Sequence, residues 1–128
     1  MVAASIGRYI YEPDAAVLAA KLSSVLCRAH GLAALSPDVA YFTSDTEIND
    51  LAMDRFELLD CLPFDRKQLR AYCREHQVGR LEIKKRGVDL SPELLRKEVL
   101  GDGDQAATVI ITPFDNQVRA IIARRPRD

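Results

Sequence analysis

Two apolar runs near the carboxyl end, Thr108-Val-Ile-Ile-Thr112 and Val118-Arg-Ala-Ile-Ile-Ala123, are separated only by Pro-Phe-Asp-Asn-Gln. β-Branched residues at this density favour strands, and a short connection holding Asp-Asn reads as a hairpin loop. Neither run alternates cleanly between apolar and polar residues, so both strands need cover on both faces. That requirement forces other strands beside them and helices against them. A chain of 128 residues can supply those layers once, as one compact unit, and has no room for a second large module.

The covering elements are legible upstream. Arg8-Tyr-Ile-Tyr-Glu12 reads as a strand halted by Pro13, and Asp14 is placed to cap a helix from Ala15 to His30. In that helix Leu18, Leu22, Val25, Leu26 and Ala29 form the expected buried stripe, and Gly31 ends it. Residues 32–55 are weakly patterned, with Val39–Thr43 expected as a strand and 44–50 as loop; Phe56–Leu62 is a further strand stopped by Pro63. Asp65 caps a helix reaching about His76, with Leu69, Tyr72, Cys73 and His76 as its core face and Gly79 as its end. Arg80–Arg86 alternates as a strand should, and Ser91-Pro92-Glu93 begins a helix that stops before Gly101-Asp-Gly-Asp104. The tail Arg124–Asp128 is expected to fray. This order predicts an α/β chain of the α+β type, a single compact domain with a mixed, mostly antiparallel sheet and about three packed helices.

Composition narrows the function classes. With 48% apolar and 29% charged residues the chain is globular, and its apolar runs are too short to cross a bilayer. The amino terminus has neither the basic start nor the apolar stretch of a signal peptide. Cys27, Cys61 and Cys73 form no C-x-x-C pair and cannot all pair with one another, which points to a reducing, cytoplasmic compartment; Cys27 and Cys73 fall on helical core faces. His30 and His76 each sit in a predicted last helical turn, where a cation suits the helix dipole. No clustered metal ligands, phosphate-gripping loop or dinucleotide-binding glycine motif occurs, and Asp102 and Asp104 read as a turn. No self-contained active site and no cofactor are expected in this chain.

The charge distribution is more informative than its total of −1. Residues 1–65 hold four basic against ten acidic side chains, leaving 14 basic and nine acidic for residues 66–128. The two halves could dock on each other, or the basic half could meet an anionic partner such as nucleic acid. On the second helix Arg66, Lys67, Arg70 and Arg74 fall within one sector beside the apolar face. The following strand adds Arg80, Lys84 and Arg86 on one face and Lys85 on the other, so two consecutive elements are expected to pool positive charge on an exposed surface. Such a surface neutralises phosphates, and arginine also grips them with paired hydrogen bonds.

Leu62-Pro-Phe-Asp-Arg-Lys-Gln-Leu-Arg70, Val78-Gly-Arg-Leu-Glu-Ile-Lys-Lys-Arg-Gly-Val-Asp89 and Ser91-Pro-Glu-Leu-Leu-Arg96 resemble the THUMP-like domain of bacterial class I S-adenosylmethionine-dependent methyltransferase-like proteins. The resemblance implies a carboxyl-terminal domain at 57–128 and, with Gly7–Asp14, a strand-helix segment at 1–56 joining it to a methyltransferase domain missing from this chain. S-adenosylmethionine is implied for that missing domain alone. By fold-level analogy with THUMP domains, which deliver RNA to an attached modifying enzyme, it implies RNA as a partner of the basic residues. The competing expectation is a structural module that buttresses the catalytic domain or mediates dimerisation.

Overall fold

The computed structural model describes residues 2–126; Met1 and the last two residues of the expected frayed tail, Arg127 and Asp128, lie outside the described residues. In chain order the elements are β1 (Tyr9–Pro13), α1 (Ala15–Ala19), α2 (Ser23–His30), β2 (Ala33–Ser36), β3 (Val39–Ser44), β4 (Met53–Pro63), α3 (Arg66–Glu75), β5 (Val78–Lys85), α4 (Pro92–Val99), β6 (Gln105–Phe114) and β7 (Gln117–Arg124). The strands form one seven-stranded sheet in the order β2-β3-β1-β4-β7-β6-β5. Neighbours are antiparallel except β5 and β6, which run parallel and are connected through α4. The mixed sheet and α+β class expected from the sequence are therefore what the chain adopts.

The sheet curls on itself. Leu35 of β2 joins Ile10, Tyr41, Phe56, Ile110 and Ile121 in one buried cluster on the concave side, which brings β2 against β6. On the convex side, Leu69 and Cys73 of α3 and Leu95 and Val99 of α4 cover Leu81, Ile83, Val109, Ile111 and Ile122. At the other end of that side, Leu26 and Cys27 of α2 pack on Tyr9, Tyr11, Phe42 and Met53. The two-sided cover demanded by the apolar hairpin is thus supplied by helices outside and by the sheet's own far strands inside. Asp115 and Asn116, both at positive φ (53° and 61°), make the tight turn between β6 and β7.

Several expected boundaries move. The first helix is two helices, for a total of four, because Lys21 adopts φ 57° and Leu22 N–H turns back to the Val17 carbonyl (3.0 Å). The break rotates the expected stripe outward: Leu22 and Val25 are 49% and 57% exposed, and Cys27 is only half-buried, whereas Cys73 is in the core. β2 forms in the weakly patterned stretch where the sequence predicts no element, and residues 56 and 57 both lie within β4, which pairs with β1 on one side and β7 on the other. The start of the tail is anchored, with Arg124 paired to Glu57 and Arg125 to Glu82 (both 2.9 Å).

Gln77, at φ 57°, ends α3 in place of Gly79. Gly79 lies inside β5 for a different reason: a Cβ there would stand 1.7 Å from the Gly103 carbonyl oxygen. Gly79→Ala must therefore push the 101–104 loop off the strand, and overpacking of this kind costs about 3 kcal/mol. A urea midpoint unchanged from the parent would contradict this contact.

Candidate nucleic-acid interface

The α3 cations owe their direction to the two residues that pin the helix. Asp65 accepts hydrogen bonds from the N–H groups of Lys67 (2.8 Å) and Gln68 (3.1 Å), starting the helix, and Leu69 and Cys73 then bury one side of it. Arg66, Lys67, Arg70 and Arg74 consequently project to solvent on the convex side. Lys97 of the adjacent α4 joins them: Arg66, Lys67, Arg70 and Lys97 line one shallow groove around Glu98. The Arg66–Glu98 pair is long, at 3.6 Å, and both side chains are about half-exposed, so it restrains Arg66 little. Lys97 escaped sequence reasoning. Its signal was the Arg96-Lys97 doublet in the last turn of α4, of which Arg96 turns inward and donates to the Leu81 carbonyl (3.0 Å).

The strand cations do not join this set. Leu81 and Ile83 are held under α3 and α4, so the alternating side chains Glu82, Lys84 and Arg86 point to the concave side. There Lys84 Nζ (2.8 Å) and Arg86 Nε (3.1 Å) both meet the carboxylate of Glu12, a β1 residue only 7% exposed. The expected pooling of α3 and β5 on one exposed surface is corrected: the two groups lie on opposite faces of the sheet. Lys84 and Arg86 serve the curl, tying edge strand β5 to β1, with Arg86 also over the Tyr41 ring (5.7 Å). Arg80 is exposed on the concave rim and donates to the Asp104 carbonyl (3.1 Å). Lys85 is exposed at the strand end, its Nζ 3.4 Å from the Val88 carbonyl oxygen.

A second ionic group closes the concave side. Arg125 grips Glu82 through two 2.9 Å hydrogen bonds and lies over the Phe56 ring, and Thr108 donates to the same carboxylate (3.0 Å). Arg125 foremost, with Thr108 assisting, holds the Glu82 carboxyl below its ordinary 4.5. A depressed carboxyl stabilises the fold above its unfolded value and loses that contribution as pH falls through the folded value. The urea midpoint is therefore expected to be flat from neutrality to about pH 5 and to fall below pH 4.5, with the fall blunted in Glu82→Gln. An identical acid profile in that variant would remove Glu82 from the account.

Among the described residues no cluster of side chains could hold a metal ion, and no helix is long and apolar enough to cross a membrane. The one parallel crossover enters α4 at Ser91-Pro92, where the Ser91 hydroxyl accepts from Leu94 N–H and proline offers no donor. With no glycine-rich loop before it, that helix start does not fit the adenosyl cofactor of a methyltransferase.

The architecture, a curled mixed sheet with its helices on the convex side, is found within a larger chain of known structure. A crystal structure from Porphyromonas gingivalis W83, of a protein assigned provisionally as a methyltransferase, matches 99% of this chain with a TM-score of 0.82 at 26% identity. Two uncharacterized S-adenosylmethionine-dependent methyltransferases from Mycobacterium tuberculosis strains, CDC 1551 and H37Rv, are 36% identical over 106 residues, 83% of this chain. The family model for THUMP domain-like proteins matches residues 53–125, and the chain belongs to that family. It spans only 29% of the length of the mycobacterial relatives and 31% of the solved chain.

Proposed function

We propose that this chain is the non-catalytic, RNA-binding part of a longer methyltransferase, and that it presents RNA to the catalytic part through the convex α3–α4 face. The observation that carries the reading is the row Arg66, Lys67, Arg70 and Arg74, joined by Lys97, exposed together on two helices whose opposite sides are fixed in the core. Arginines so placed can grip successive phosphates and stack on unpaired bases. Lys85 lies at the end of β5, Arg80 stays on the concave rim, and Lys84 and Arg86 are committed to Glu12. Membership of a THUMP-like family and the shared core with longer methyltransferases support the same reading. S-adenosylmethionine belongs, in this reading, to the catalytic part, and the compartment is the cytoplasm.

The test is fluorescence anisotropy of a short labelled single-stranded RNA titrated with the chain at low and at physiological salt. Saturable binding that weakens steeply with salt is expected. An RNA that stays unbound at low salt would overturn the reading in favour of a purely structural module.

A further inference from the structure

We infer that the α1–α2 corner is the surface on which the methyltransferase part of the longer protein docks. α2 presents two apolar sides: Leu26 and Cys27 face the sheet, whereas Leu22 and Val25 face solvent, and neither α1 nor α2 contains a fully buried residue. Helices of five and eight residues are too short to be stable without packing, so a pair this lightly covered is completed by something outside the domain. Beside α2 runs an open groove of about 700 Å³, walled by Ser24, Cys27, Ala34, Pro37, Val39 and Phe42. Leu22 and Val25 lie on the opposite flank of α2 from this groove, so the helix leaves apolar surface uncovered on both sides of its contact with the sheet.

The occupant follows from size. The relatives share this domain but are about three times its length, and the greater part of each is chain that the domain must contact or be tethered to. The cationic α3–α4 face lies at the other end of the convex side, against β5 and β6, so docking at α2 leaves it open. The inference rests on the reading that the chain is part of a longer methyltransferase, but not on RNA binding, since it uses none of the cations.

The test uses hydrogen exchange and thiol labelling on the full-length protein and on this chain, which packs its own core. Val25→Cys is expected to label quickly in the isolated chain and at least tenfold more slowly in the full-length protein, while Cys61, exposed at the end of β4, labels alike in both. Amides of 15–30 should gain protection in the full-length protein only. Leu22→Asp with Val25→Asp should leave the isolated chain folded and lower the first melting transition of the full-length protein. Equal labelling of Val25→Cys in both would overturn the inference, as would a concentration-dependent dimer of the isolated chain that the Asp variants dissolve. RNA affinity of the Asp variants is expected to match the parent, which separates failure here from failure of the RNA reading.

Discussion

Replacing both Lys84 and Arg86 by glutamate is expected to unfold the chain at ambient temperature. Glu12 is 7% exposed and its carboxylate is met by both cations, at 2.8 and 3.1 Å. Removing the partner of a buried charge costs about 3–5 kcal/mol, and reversal adds repulsion between three carboxylates. A domain of this size has only about 5–15 kcal/mol in total. The loss would be read as collapse of the cooperative thermal transition in circular dichroism. Replacing the triad as a whole, with Glu12→Leu, Lys84→Met and Arg86→Met, should be far milder, because no uncompensated charge stays behind. A Lys84→Glu/Arg86→Glu variant melting within a few degrees of the parent would mean that these cations are solvated and the curl is held otherwise.

The second large effect is expected on binding. Lys67→Glu, Arg70→Glu and Arg74→Glu alter three exposed side chains on the outer side of α3, away from Leu69 and Cys73. Surface changes of this kind usually cost less than about 0.5 kcal/mol each, so the melting temperature should shift only slightly. RNA affinity at low salt should fall by about two orders of magnitude, since charge-assisted phosphate contacts contribute of the order of 1 kcal/mol or more apiece. A folded triple variant that binds RNA like the parent would move the interface elsewhere. The two variants thus separate cations that hold the sheet closed from cations offered to a ligand.

That separation was only half legible in the sequence. The helix from Asp65 was readable because its cap and its Leu69/Cys73 spacing are local signals, and they orient the α3 cations correctly. The alternation of β5 was also readable, but alternation does not say which face meets helices and which meets solvent. The deciding fact is a partner 74 residues away, Glu12, brought over by the curl of the sheet. Glu12 itself looked like the last residue of a short strand, and nothing local marked it as buried. The split of the first helix was hidden for the opposite reason: Leu18, Leu22 and Val25 satisfy helical spacing across a break that Lys21 makes with its own backbone. β2 is four residues of modest strand preference, held by pairing with β3, and its neighbours in sequence did not predict it.

The most direct measurement is the slope of log affinity against log salt for RNA binding by the parent, by Arg70→Glu/Arg74→Glu and by Arg80→Glu. If about four phosphates are neutralised on the α3–α4 face, the parent slope is near about −3. Removing two contacts should bring the first variant to about −1, while Arg80→Glu, on the concave rim, keeps the parent slope. A parent whose weak binding ignores salt, or a slope that flattens in Arg80→Glu and not in the α3 variant, would contradict the assignment of RNA to the convex face.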